Sequence, residues 1–199
     1  MEIGRLHIFT IGHSNHSLET FVDLLQQNGI EVLVDTRSQP YSKYASHFNK
    51  EALKLALPKV GIKYAFFGKE LGGRPDGEAF YDEEGHVLYG NVAEAPFFLE
   101  GIERLEKGAA KYRVAIFCSE ENPSVCHRRL LVTRVLQQRG DSVCHIRGDG
   151  RLQTEEELQA EDAARDGGQQ SLFETEEVVV WRSILSVLPK KQPLSSLES

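Results

Sequence analysis

Residues 113–140 read RVAIFCSEENPSVCHRRLLVTRVLQQRG, and this stretch decides the fold. Arg113–Cys118 is a short apolar run, which the pattern predicts as a strand. A polar loop bracketed by Cys118 and Cys126 follows, and His127–Arg139 then shows helical spacing that stops at Gly140. A strand running through a loop into a helix start gathers free backbone N–H groups and the positive end of a helix dipole. Such ends hold anions.

Outward from this unit the same alternation recurs. Leu6–Ile11 is an apolar run ending at Gly12, and Ser17 can cap a helix whose Leu18, Phe21, Leu24 and Leu25 fall on one face. Asn28-Gly29 stops that helix, and Ile30–Val34 leads to Asp35 as a second strand. Lys50–Val60 is helical in pattern but shortened by Pro58, and Ile62–Phe67 is a third strand. Gly68–Gly90 is glycine-rich and without period, which predicts a functional loop or lid. Pro96–Gly108 resumes a helix, Arg113–Cys118 is the fourth strand, and Ser142–Ile146 is the fifth. The predicted fold class is therefore α/β, a mostly parallel sheet of about five strands with helices on both faces and a C-terminal helical extension. Residues 1–153 are expected to form the α/β domain and 154–188 an acidic helical extension, with helices over Glu155–Ala164 and Glu176–Leu188, the latter carrying Trp181. Residues 189–199, with two prolines and three serines, are expected to be a flexible tail.

Charge narrows the function classes. The net charge of −7 argues against a nucleic-acid-coating protein, but residues 154–180 hold nine Asp/Glu against one Arg, so the body is near neutral and its arginines can still form a local positive patch. No apolar run approaches the roughly 18 to 20 residues of a membrane span, and the start Met-Glu-Ile-Gly-Arg lacks the form of a signal peptide. A cytoplasmic protein without membrane contact is expected. The three cysteines, an odd number, read as reduced thiols.

In a parallel sheet, ligands bind outside the carboxyl ends of the strands. Unusual polar residues fall there four times: Thr10-Ile11-Gly12-His13-Ser14-Asn15, Asp35-Thr36-Arg37-Ser38, Cys118-Ser119-Glu120 and His145-Ile146-Arg147-Gly148-Asp149. Four such loops on one edge predict a site. The segments Thr10–Asn15, Asp35-x-Arg37-Ser38-x-Pro40, Leu71-Gly72-Gly73-Arg74 and Cys118-x-Glu120-x-x-Pro123-x-x-Cys126-His127-Arg128 resemble the signature segments of the domain-of-unknown-function 488 family, over about residues 6–150. Thr36 departs from the valine more usual there. The resemblance implies an α/β domain with a site but carries no reaction.

Candidate roles follow from residue chemistry. Cys126 sits at a helix start beside His127, Arg128 and Arg129, surroundings that enrich a thiolate, so Cys126 is a candidate nucleophile and His127 a further candidate catalytic residue. The alternative is a small apolar residue seating the helix on the sheet. Asp35 and Glu120 are candidate acid–base carboxylates, or else neutralise arginines such as Arg37 or Arg128. Arg37, Arg74 and Arg128 are suited to phosphate, and His13, Ser14, Asn15 and Cys118 complete the expected substrate-binding wall. The loop does not match the cysteine phosphatase pattern, since no arginine closes it. Cys118 and Cys126 are eight residues apart instead of the two to four of a zinc knuckle, so no metal is expected, and no cofactor. Finally, Gln169-Gln170-Ser171-Leu172-Phe173 resembles the peptide by which bacterial replication and repair proteins dock on the sliding clamp, with Gln169, Leu172 and Phe173 as the contacts. The favoured expectation is an enzyme acting on a phosphate-bearing, nucleic-acid-related substrate in DNA repair or replication. The alternatives are a non-catalytic nucleotide or anion binder and a clamp-binding adaptor.

Overall fold

Apolar runs separated by amphipathic helices build a six-stranded sheet, seen in a computed structural model that describes residues 5–166 and 180–187. The strands are β1 His7–Gly12, β2 Val32–Asp35, β3 Lys63–Phe66, β4 Val114–Cys118, β5 Ser142–Ile146 and β6 Leu152–Thr154. Their order is β3-β2-β4-β1-β5-β6, with the first five parallel and β6 antiparallel to β5. The sixth strand is a three-residue edge that apolar patterning does not predict.

The helices are α1 Leu18–Gln27, α2 Lys50–Ala56, α3 Tyr89–Glu94, α4 Pro96–Ala109, α5 Arg134–Gln138 and α6 Glu155–Asp166. Helix α1 begins as expected, with the Ser17 hydroxyl accepting from the Thr20 N–H at 3.1 Å. It buries Phe21, Leu24 and Leu25 against Phe9, Ile11, Leu33 and Phe117, each worth about 1.5–3 kcal/mol of transfer free energy. Leu53 of α2 joins this face of the sheet. On the other face, Phe98, Ile102 and Leu105 of α4 and Val135 and Leu136 of α5 cover Ile8, Val32, Val34, Val114 and Ile116. Covered on both sides, the central strands are continuous buried runs rather than alternating ones.

The helix predicted over His127–Arg139 forms in two parts. Its first turns, Arg128–Thr133, are a wide π-helical segment, and the Thr133 hydroxyl donates to the Arg128 carbonyl five residues back at 2.9 Å. The expected helix over Glu176–Leu188 is corrected where it is described: residues 180–187 are not helical. Arg182 forms an isolated bridge with Leu88, Ser183 N–H donates to the Val87 carbonyl, and Val87 N–H donates to the Ser183 hydroxyl at 2.9 Å. Trp181 packs on the α4–α5 core and donates its indole N–H to the Leu130 carbonyl at 2.8 Å. These partners outweigh the helical periodicity, which is a weak prior against tertiary contacts. No described helix is long and apolar enough to cross a membrane.

Candidate functional site

The chain leaves β2 toward α2 on one face and β4 toward α5 on the other, which opens a crevice between the carboxyl ends of these two neighbouring strands. A cavity of about 390 Å3 lies there. Of the residues expected at the site, Arg37, Arg74, Cys118, Glu120, Cys126 and His127 line it, together with Ser38, Tyr41 and Tyr89. Residues Ser183–Val187 contribute Ser183, Leu185, Ser186 and Val187 to its wall, a contribution hidden in the sequence because the segment reads as a helix.

At the base of the cavity four side chains converge. Glu120 Oε2 lies 2.8 Å from Cys118 Sγ and 3.2 Å from Cys126 Sγ. His127 Nδ1 lies 3.7 Å from Cys118 Sγ and 3.9 Å from Cys126 Sγ, while its Nε2 meets the Thr36 carbonyl at 3.2 Å. Gly73 is required beside them, since a Cβ there would stand 2.8 Å from the His127 ring. The hydrogen bond with Cys126 and burial push the Cys118 thiol well up, with Glu120's charge adding to both. Burial opposes a charge on Cys126 too, but the Cys118 hydrogen bond and the positive Arg128 and His127 outweigh it and hold Cys126 well below the ordinary thiol range. Burial likewise opposes the His127 cation, and Cys126, Glu120 and the Thr36 carbonyl together raise its pKa. The opposite shifts of the two thiols leave Cys126 more readily ionised than Cys118. Tyr89, buried and facing these same groups, has its hydroxyl pKa pushed up.

Several expected site residues lie elsewhere. Asp35 is fully buried and does not line the cavity. It pairs in register with Phe117, so it points to the α1–α2 face while Cys118, one residue on, points to the α4–α5 face. There it accepts from Arg37 Nε at 2.9 Å, Arg37 Nη2 at 2.7 Å and the Tyr64 hydroxyl at 2.6 Å. No Asp35–Glu120 acid–base pair is formed. Arg37 is correspondingly committed: besides Asp35 it donates to the Phe48 carbonyl and stacks over the Phe117 ring at 4.5 Å. Arg128 is buried behind the cluster, donating to the Glu120 carbonyl, to the Glu121 carbonyl at 2.6 Å and to Thr10 Oγ1 at 3.3 Å. Its fork is used to hold the loop, leaving Arg74 as the cavity arginine that makes no ion pair among the described residues.

His13, Ser14 and Asn15 also stand outside the cavity. His13 N–H and Ser14 N–H donate to the Cys118 and Ser119 carbonyls at 3.1 and 3.0 Å, extending the β1–β4 pairing past the strand ends. The His13 ring stacks on Phe48 at 4.4 Å, and burial pushes its pKa down to about 4. Gly12 permits the crossing, because a Cβ would fall 1.8 Å from the Glu120 carbonyl oxygen. Cys144, the third cysteine, packs on the α1–α2 face. The residues Gln169, Leu172 and Phe173 lie outside the described residues.

The four sequence segments therefore form one interlocked unit around the thiol cluster. The family model for a domain of unknown function, DUF488, matches residues 17–135, more than half of the chain. The chain belongs to the DUF488 family. This DUF488 match includes every residue of the cavity base, whereas β1, β5, β6, α6 and the wall segment 183–187 lie outside it. No curated protein and no solved structure matches the chain.

Proposed function

We propose that this protein is an enzyme acting on a phosphate-bearing, nucleic-acid-related substrate by hydrolytic or transfer chemistry. The observation that carries this reading is the convergence of Cys118, Glu120, Cys126 and His127 at the base of a cavity bearing Arg74. An anion binder without turnover needs an arginine and backbone N–H groups, but has no use for a thiolate, an imidazole and a carboxylate in mutual contact. Glu120 and His127 are placed to move protons, Cys126 supplies negative charge to the centre, and Arg74 positions phosphate.

The direction of approach supports a nucleotide-like substrate. Beyond Arg74 the crevice continues into a second cavity lined by Asp76, Glu78, Asp82, Glu83 and Glu84, which repels a polyanion. Tyr41 lines the first cavity but not the second and is 70% exposed, a surface on which a base can stack. The Gln169–Phe173 peptide favours a role in DNA repair or replication-associated processing, in the cytoplasm, with the sliding clamp as partner. The test is a screen of damaged and undamaged DNA, RNA and nucleotides with the wild type, Cys126→Ser and Arg74→Ala. Cys126→Ser is expected to abolish turnover with folding retained, and Arg74→Ala to weaken substrate binding by about tenfold or more. Turnover that ignores both substitutions refutes the site. Clamp pulldown with Leu172→Ala/Phe173→Ala tests the partner, and no capture by the wild type ends that part of the proposal.

A further inference from the structure

We propose that Cys118 Sγ, Cys126 Sγ and His127 Nδ1 bind a divalent cation of the zinc class, with Glu120 Oε2 or a water at a fourth position facing the cavity. The three protein atoms all lie within 4.8 Å of one another. Around a tetrahedral zinc ion, with Zn–S near 2.3 Å and Zn–N near 2.0–2.1 Å, the sulfur–nitrogen edge is roughly 3.6 Å. The two sulfur–nitrogen edges here are 3.7 and 3.9 Å, within a few tenths of an ångström of that value, and the sulfur–sulfur edge is no longer than 4.8 Å, against roughly 3.8 Å around zinc. Glu120 Oε2 sits against both sulfurs and belongs to an exposed residue, so it can move outward to a coordinating distance.

The orientation of the imidazole is a second, independent observation. Its Nε2 faces the Thr36 carbonyl, which can only accept, so in the neutral ring the proton sits on Nε2 and the Nδ1 lone pair is aimed at the two sulfurs. This is the outer-shell arrangement that fixes metal-ligating histidines. Gly73, by lacking a Cβ, leaves the room that the ring occupies in this orientation. Two thiols and an imidazole select borderline and soft ions such as zinc over magnesium or calcium. The eight-residue interval that argues against a zinc knuckle does not apply. The ligands come from the end of β4 and from the residues preceding the π-helical segment, and the fold closes the distance that the local chain does not.

Three protein ligands with a position open to the cavity is the pattern of catalytic zinc sites. Cys118, Cys126 and His127 would hold the metal, which would supply an acidified water at the fourth position; His127 would then be a ligand, and proton transfer would fall to Glu120 alone.

The site is tested on the full chain, stripped with chelator under phosphine reductant and titrated with Co2+. The expected result is one Co2+ per chain, the visible bands of tetrahedral cobalt, and a near-ultraviolet sulfur-to-cobalt band of two-thiolate intensity that Zn2+ abolishes. Cys118→Ser and Cys126→Ser should each halve that band and weaken affinity beyond the roughly 10- to 100-fold typical of losing an outer-shell partner. Cys144→Ser, on the other face of the sheet, should leave it unchanged. A second readout needs no variant: Zn2+ should protect two of the three thiols of the wild type from alkylation. A wild type that shows no sulfur-to-cobalt band, or no zinc protection, overturns the proposal, as does a band lost with Cys144→Ser. The proposal stands apart from the substrate. A chain that binds Co2+ through two thiolates yet turns over no phosphate compound keeps this site and loses the proposed function.

Discussion

Asp35→Asn separates a structural carboxylate from a catalytic one. Asp35 is fully buried and accepts four hydrogen bonds: from Arg37 N–H at 3.0 Å, Arg37 Nε, Arg37 Nη2 and the Tyr64 hydroxyl. The amide keeps the shape but removes the negative charge, and its NH2 turns at least one of these contacts into a donor facing a donor. Arg37, 5% exposed, is left as an uncompensated buried cation. Breaking such a pair from one side costs about 3–5 kcal/mol. At roughly 2–4 °C per kcal/mol for a domain of this size, the melting temperature should fall by about 6–20 °C. The assay is chemical and thermal denaturation followed by circular dichroism, with Cys126→Ser as a comparator expected to lose far less. The double variant Asp35→Asn/Arg37→Gln should recover part of the loss, because it removes the orphaned charge. If Asp35→Asn is instead within about 1 kcal/mol of the wild type while turnover vanishes, the carboxylate acts in the chemistry and the structural assignment fails.

Three further outcomes are expected. Gly12→Ala, whose Cβ would collide with backbone at Glu120, should force the β1 and β4 loops apart, abolishing any Co2+ band and lowering stability; an intact band would show that the crossing is not tight. Burial lowers the pKa of His145, which contacts Thr10 Oγ1 and Glu155 Oε2 at 2.8 Å each. A histidine whose folded pKa lies below its unfolded value near 6.5 contributes stability above that pH and loses it as pH falls. Unfolding free energy should therefore drop between pH 7.5 and 5.5, His13 acting in the same direction; a drop undiminished in His145→Gln would remove His145 from the account. Trp181→Phe removes the donor to the Leu130 carbonyl and should cost about 1–3 kcal/mol while altering access to the cavity; unchanged stability would show the indole bond to be idle.

The fold was legible because a covered parallel sheet writes itself as apolar runs at regular intervals, and Leu6–Ile11, Ile30–Val34, Arg113–Cys118 and Ser142–Ile146 each mark a strand to within a residue or two. The edge on which the polar loops gather was legible for the same reason. The face each side chain takes was not. Asp35 and Cys118 both end strands, and only the register, Asp35 opposite Phe117, reveals that they point to opposite faces. Partners were equally hidden: Arg128 resembles a phosphate ligand in sequence, but folding spends its donors on the Glu120 and Glu121 carbonyls and on Thr10. The helical pattern over Val180–Val187 is not realised because periodicity is local, whereas Val87, Leu88 and Leu130, whose bonds to Ser183, Arg182 and Trp181 replace helical ones, are far off in the chain.

Ser183–Val187 closes the side of the cavity from beyond the stretch shared with the family, while the floor of thiols, imidazole and carboxylate lies wholly within it. Doorway and hearth are thus separate pieces of chain, the doorway held by backbone hydrogen bonds from Ser183 to Val87 and from Val187 to Gly85. Rewriting the doorway can reshape the entrance while the thiols, the imidazole and the carboxylate stay as they stand, so this one segment can be exchanged without touching the cluster beneath it.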